Sequence, residues 1–250
     1  MHRLFDEFAH RYDLHTSPDH YRHDHEFVLD LVQQWNGARP LLDVGCGTGV
    51  LIEKARRLGL PATGLDASPG MVREAERRLG PDAVALKRMQ DLGDDRAYQA
   101  IVSLSWTVNY CQGRDELQDV LRRFHRALKP GGGVVLQVAH AANAPKGVLE
   151  DREAGPAGEP GDVIFLYHFR QVAGESDTLA AEYVYACKSA GELLHEEHLL
   201  HVADARMVAA LMQQIGFVGV ELYDSYRRDA FEHSVSPFVI GRRASGSSPA

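Results

Sequence analysis

Short apolar runs alternate along this chain with stretches in which apolar residues recur every three or four positions. The runs read as strands, and the periodic stretches as helices laid against them. Apolar runs fall at 40–44, 62–66, 84–86, 100–104 and 134–138. Between them, Val50, Leu51, Ala55 and Leu58 mark a helix near 49–58, and a second is expected near 69–79. Positions 88–97 form a polar loop, and Leu117, Val120, Leu121, Phe124 and Leu128 mark a helix near 115–128. Gly131-Gly132-Gly133 then turns the chain into the fifth strand. Strands alternating with helices predict an α/β fold, with a mostly parallel sheet covered on both faces.

The flanks depart from this rhythm. Residues 1–16 carry scattered aromatics (Phe5, Phe8, Tyr12) without a period, and read either as a flap or as a frayed helix. Ser17-Pro18-Asp19 is a helix start, and Phe27, Val28, Leu31, Val32 and Trp35 extend the helix to a stop at Asn36-Gly37. Positions 141–162 are rich in Ala, Gly, Pro and Glu, too long for a plain connection, and read as a functional loop or partly disordered. Three β-like runs, 163–171, 181–187 and 195–202, predict a small antiparallel insertion. Met207, Val208, Leu211, Met212 and Ile215 form a helix face ending at Gly216, and runs at 217–223 and 235–243 close the sheet as an antiparallel pair. The expected division is a flap and helix (1–36), a ligand-binding core (37–140), a loop and β insertion (141–203), a closing helix and strands (204–243) and a disordered tail (244–250).

Composition narrows the function classes. The 250 residues can bury a full core, and 27 basic against 35 acidic residues leave a net charge of −8, which disfavours a nucleic-acid partner. The pairs Arg56-Arg57, Arg77-Arg78 and Arg122-Arg123 read as solvated helix faces. Cys46, Cys111 and Cys187 are odd in number and far apart, so no disulfide framework is implied. The N-terminus meets Asp6 and Glu7 before any apolar signal segment develops, and no apolar run has the length of a membrane span. A cytoplasmic protein is expected, with a homodimer left open.

The stretch Leu41-Leu42-Asp43-Val44-Gly45-Cys46-Gly47-Thr48-Gly49 is a strand running into a glycine turn and a helix. Asp66 ends the second strand, where a carboxylate can accept both hydroxyls of a ribose. A dinucleotide site uses G-x-G-x-x-G; here the order is G-x-G-x-G, which disfavours an NAD-dependent oxidoreductase. With Leu65-Asp66-Ala67-Ser68-Pro69-Gly70-Met71 and Leu128-Lys129-Pro130-Gly131-Gly132, it resembles the three ordered motifs of class I S-adenosylmethionine-dependent methyltransferases. The resemblance covers roughly 25–140 and the closing strands, and implies a Rossmann-like, seven-stranded, mostly parallel sheet.

By that resemblance, Asp43, Gly45 and Gly47, with Cys46 between them, lie near the methionine end of the cofactor. Asp66, beside Ala67, holds the ribose, and Met71 packs by the adenine. Gln90-Asp91-Leu92 supplies the adenine edge contact. Family members often show Gly-Asp after the third strand, whereas this chain has Arg88-Met89-Gln90-Asp91, so the contact stays open between Gln90 and Asp91. Ser103 and Leu104 pass close to the methionine moiety, and Tyr12 and Tyr21 of the flap join the cofactor set. The pattern is similar to small-molecule enzymes, especially N,N-dimethyltransferases of nucleotide-linked amino sugars.

The acceptor side is less defined. Methyl transfer needs a base only where the nucleophile arrives protonated. His140, just past the fifth strand, is the candidate base, with a hydrogen-bonded structural histidine as the alternative. Trp106, Asn109 and Tyr110 either wall the acceptor pocket or merely pack. His168, Arg170 and Tyr185 of the insertion are further acceptor candidates, Arg170 suiting a phosphate or carboxylate. Strand alternation separates His198 from His195 and His201, and His20 with His23 lacks a third partner, so no metal is expected. The expectation is a methyltransferase for a small amine or hydroxyl acceptor in natural-product or sugar metabolism. The alternative is a protein of this fold that binds the cofactor without methyl transfer, as a cyclase or a regulatory binder.

Overall fold

The computed structural model describes residues 2–35, 40–145, 148–150 and 162–246. The expected stop at Asn36-Gly37, positions 146–147 and 151–161 of the long loop, and the end of the tail (247–250) lie outside the described residues. The flap contains a 3₁₀ turn at Ala9–Arg11 and the single-turn helix α1 (Tyr12–His15). Helix α2 (Arg22–Gln34) begins later than expected. The Ser17 carbonyl accepts from the His20 N–H at 2.8 Å in a turn, and the helical ladder starts only with the His25 N–H on the Tyr21 carbonyl.

The core then runs β1 (Leu41–Val44), α3 (Val50–Arg57), β2 (Ala62–Asp66), α4 (Pro69–Leu79), β3 (Val84–Leu86), β4 (Tyr98–Ser103), α5 (Arg114–Ala127) and β5 (Leu128–Gln137). The insertion supplies β6 (Val148–Glu150), β7 (Val163–Gln171), β8 (Leu179–Cys187) and β9 (Glu192–Leu200). Helix α6 (Ala205–Ile215), β10 (Phe217–Tyr223) and β11 (Phe238–Arg243) return to the core. The main sheet has the order β10-β11-β5-β4-β1-β2-β3. It is parallel except at β11, which runs antiparallel to both β5 and β10. The second sheet, β6-β7-β8-β9, is antiparallel throughout. The α/β sheet of seven strands and the antiparallel insertion are as the sequence pattern predicts.

Strand alternation sorts the core into two layers. Leu41, Ala100, Val102 and Val135 point to the face covered by α2, α3 and α4, where Val28, Ile52 and Ala75 are fully buried. Leu42, Val44, Ile101, Val134 and Leu136 point to the other face, against Leu117, Leu121 and Phe124 of α5 and Val208 and Leu211 of α6. The glycine triplet departs from the expected turn: it lies in a bulge inside β5, since Leu128 pairs with Tyr98 while Gly133 already pairs with Ala100. A Cβ on Gly132 would come within 2.7 Å of the Gln99 carbonyl oxygen, so the bulge demands its glycine.

The flap is docked between the two sheets. Leu4 and Phe8 pack with Phe165, Tyr185 and Leu194 of the insertion. On the core side, the Ser68 hydroxyl donates to the Phe5 carbonyl at 2.6 Å and the Thr48 hydroxyl to Asp13 at 2.8 Å. Arg78, expected on a solvated face, instead joins this seam. It donates to the Thr48 carbonyl at 2.9 Å and pairs with Glu53 and, closely, with Asp13. A Cβ on Gly70 would sit 2.3 Å from the Asp6 carbonyl oxygen. Gly70→Ala is therefore expected to lift the flap: limited proteolysis should cut within residues 2–16 faster than in the wild type, with the far-UV circular dichroism of the core unchanged.

Candidate active site

The site is built on the turn between β1 and α3. Gly45, Gly47 and Gly49 have φ of +72°, +53° and +80°, a conformation that β-carbons disfavour. At Gly45 there is also no room: a Cβ would lie 2.4 Å from the Thr107 side chain. Asp66, at the end of β2, holds this turn. One carboxylate oxygen accepts the Gly47 N–H at 2.9 Å and the other the Ser68 N–H at 2.8 Å. Asp43 lies beside it, fully desolvated, and burial together with the Asp66 charge pushes its carboxyl up to about 7. Burial also raises the Asp66 carboxyl, against the backbone N–H groups that favour its charged form.

Three cavities meet above the turn. The largest, about 540 Å³, is lined by Gly45, Gly47, Asp66, Ala67, Met71, Met89 and Gln90, among others. A smaller one, about 100 Å³, lies over Asp43, Cys46, Thr48, Leu104, His25 and Tyr21. The third, about 290 Å³, is walled by Trp106, Phe165, Tyr167, Phe169, Tyr183 and Tyr110. Tyr12 and Ser105 line all three, so the junction lies between them.

The segment at this junction is strained. Ser105 and Trp106 have φ of +49° and +64°, although neither is glycine. Gln137 holds both in place: its side-chain oxygen accepts the Ser105 N–H at 3.0 Å and its carbonyl the Trp106 N–H at 3.1 Å. The Gln137 amide in turn donates to Asp24 at 2.9 Å, and the Trp106 indole donates to Ser236 at 2.9 Å.

The first two cavities fit S-adenosylmethionine. Asp66 offers free lone pairs to a ribose diol, and Leu65, Ala67, Met71 and Met89 give an apolar bed for a base. In the small cavity, the buried Asp43 lacks a cation and His25 Nδ1 is buried with no hydrogen-bond partner among the described residues. Burial also drives the His25 imidazole down to about 3, so it is neutral. A carboxylate wanting an ammonium and an imidazole nitrogen wanting a partner suit the two ends of an amino acid.

Several expected residues lie elsewhere. His140 is not at the cavities: its Nδ1 accepts the Ala205 N–H at 3.2 Å, beside Asp204, and so caps the start of α6. Ser103 is consumed by donating to the Val44 carbonyl at 3.0 Å. The Asn109 side chain bridges the Val202 carbonyl and the Ala139 N–H, both at about 3 Å. Leu92 is core and Asp91 is exposed, leaving Gln90 as the one of its tripeptide that lines a cavity. In the insertion, the inward register is Phe165, Tyr167, Phe169 and Tyr183. His168 and Arg170 therefore face outward, against Glu182 and Glu197, and Tyr185 is spent on packing with Phe8. The inward aromatics at 165, 167 and 169 carried a readable period-two signal. The contributions of His2, Phe5, Ser105 and Gln137 had none.

His2, Glu196 and His198 bring three ligating atoms within 4.8 Å of one another. Glu196 already accepts the Arg3 and Leu4 N–H groups at 2.8 and 2.9 Å, His198 meets Tyr110 at 2.7 Å, and the His2 ring packs against that of His198.

Residues 41–132 match the family described as a methyltransferase domain. The chain is 36 % identical over 112 residues to the dTDP-3-amino-3,4,6-trideoxy-α-D-glucopyranose N,N-dimethyltransferase of Streptomyces venezuelae, covering 44 % of this chain and 47 % of that protein. It is 28 % identical over 196 residues to the dTDP-3-amino-3,6-dideoxy-α-D-glucopyranose N,N-dimethyltransferase of Streptomyces fradiae, covering 76 % of this chain and 75 % of that one. The match to the first of these thus spans about half of its length. An S-adenosylmethionine-dependent methyltransferase from Clostridium acetobutylicum superposes with a TM-score of 0.76 at 18 % identity, over 95 % of this chain and 98 % of that one. The fold is that of the S-adenosylmethionine-dependent methyltransferases. Among the described residues, no helix is long and apolar enough to cross a membrane.

Asp43 gives a pH test of the ligand-free site. Its folded carboxyl is held at about 7, well above its ordinary 3.8. The native state therefore keeps a proton that the unfolded chain releases, and stability is lost as pH rises from about 4 through about 7. Asp43→Asn should melt higher than the wild type at pH 8 and at the same temperature near pH 3.5, as followed by circular dichroism; equal melting at both pH values contradicts the buried acid.

Proposed function

We propose that the chain is an S-adenosylmethionine-dependent methyltransferase acting on a small sugar or natural-product acceptor through an amine or hydroxyl. The observation carrying this reading is the meeting of the three cavities at Tyr12 and Ser105. The cofactor, when bound, supplies an electrophilic sulfonium methyl, open to in-line attack from the aromatic cavity. Asp66 holds the ribose diol, Gln90 meets the adenine edge, and Asp43 pairs with the ammonium. The strained Ser105-Trp106 segment and Tyr12 form the collar through which acceptor and methyl meet, and the flap closes the collar against water.

The aromatic cavity suits a compact acceptor. Among its described lining residues none is Lys, Arg, Asp or Glu. Aromatic faces bind the apolar face of a sugar ring and tolerate the cation of an alkylated amine. The relatives' names supply the sugar-amine precedent.

Two outcomes test the reading. Binding of S-adenosylhomocysteine should release about one proton at pH 6 and almost none at pH 8.5, as Asp43 ionises to meet the ammonium. Calorimetry in buffers of different ionisation enthalpy reads this directly, and Asp43→Asn should abolish the release. With S-adenosylmethionine and a panel of amino-sugar and hydroxylated acceptors, formation of S-adenosylhomocysteine should depend on the acceptor. Tight cofactor binding without turnover on any of them favours a non-transferring binder instead.

A further inference from the structure

Tyr110 stands where the cofactor and aromatic cavities adjoin, lining both. Its hydroxyl lies 2.7 Å from Nδ1 of His198, a histidine with no solvent exposure. On the far side of that ring, Nε2 faces a Glu196 oxygen at 3.4 Å. Glu196 is itself fixed, each oxygen accepting a backbone N–H from the flap, Arg3 at 2.8 Å and Leu4 at 2.9 Å. The hydroxyl comes from the 3₁₀ turn Thr107–Tyr110, and the imidazole and carboxylate both come from β9, two residues apart on one face, the carboxylate being fixed by the N-terminal segment.

We propose that Tyr110, His198 and Glu196 form a proton relay that deprotonates the acceptor, with Tyr110 as the catalytic residue and His198 and Glu196 positioning it. The arrangement has the logic of a hydroxyl–imidazole–carboxylate triad: the carboxylate fixes the tautomer, leaving the inner nitrogen free to take a proton from the hydroxyl. A carboxylate facing Nε2 favours the Nε2–H form, so that Nδ1 accepts from Tyr110. This rests on the methyl-transfer reading and identifies the base at that site, in place of His140.

A lone pair on the acceptor nitrogen or oxygen forms the bond to the methyl carbon, the carbon–sulfur bond breaks, and sulfur keeps that electron pair. The acceptor proton passes to the Tyr110 oxygen as the phenolic proton passes to His198 Nδ1, and the positive charge lost from sulfur reappears on an imidazolium facing Glu196. The proton leaves to solvent once product departs.

The surroundings favour a resting histidine that is neutral. His2 from the flap lies tilted against the ring with centroids 3.6 Å apart, Tyr183 of β8 approaches to 4.8 Å, and Glu196 and Tyr110 are the other titratable groups against it among the described residues. Burial and then His2 hold His198 down to about 4, against the opposing pull of Glu196. Burial raises the Tyr110 phenol well above its usual range, so without the relay it is a poor base.

Two measurements on the full chain decide the matter. Long-range ¹⁵N–¹H spectra of the ligand-free protein should show His198 as the neutral Nε2–H tautomer from pH 6 to 8; an Nδ1–H tautomer or an imidazolium overturns the relay whether or not an acceptor is known. In single-turnover methyl transfer, Tyr110→Phe should cut the rate by about 100-fold or more, with S-adenosylhomocysteine affinity within about twofold of the wild type. Glu196→Gln should cut it less and shift the histidine signal. A Tyr110→Phe rate within about threefold of the wild type overturns the proposal. Failure of the wild type to methylate any acceptor overturns the methyl-transfer reading instead, and the tautomer alone then decides the relay geometry.

Discussion

Two carboxylates packed against one glycine turn, Asp43 buried and Asp66 half-buried, set the terms for this molecule. Asp66 is held by N–H groups from both sides of the site, Gly47 and Ser68, and so ties the end of β2 to the turn after β1. Asp43 has no such support and keeps its proton to about pH 7. Desolvated charge is costly unless paired, which is why Asp43 holds its proton so far above the usual carboxylate range. Gly45 and Gly47 adopt positive φ and carry no side chain, so bare backbone lies beside both acids.

Everything else encloses that turn. The parallel sheet brings β1, β2 and β4 to a common carboxyl edge, where an open α/β sheet leaves a crevice. The flap then closes the crevice by bridging to both sheets, through Ser68 and Thr48 on one side and Glu196 on the other. Without the antiparallel insertion, Leu4 and Phe8 of the flap would lose their apolar partners Phe165, Tyr185 and Leu194. The aromatic cavity is the space these two additions leave over the strained Ser105-Trp106 segment.

The sequence by itself determined the sheet, the glycine turn and the two acids beside it. Strand alternation and helix spacing are local properties, and β2, α4, β3, β7 and β10 fall on the expected residues. The glycine turn is also local, since its backbone conformation is written in consecutive residues. Tertiary structure decided the rest. His140 and Asn109 look like chemistry in sequence, but distant backbone groups, at Ala205 for one and at Val202 and Ala139 for the other, consume their hydrogen bonds. Arg78 looks like surface until Asp13 of the flap arrives to pair with it. Strand alternation turns His198 away from its histidine neighbours, yet that inward register carries it to Tyr110, 88 positions earlier in the chain. A local pattern fixes which way a side chain points; only the packed fold decides what it meets there.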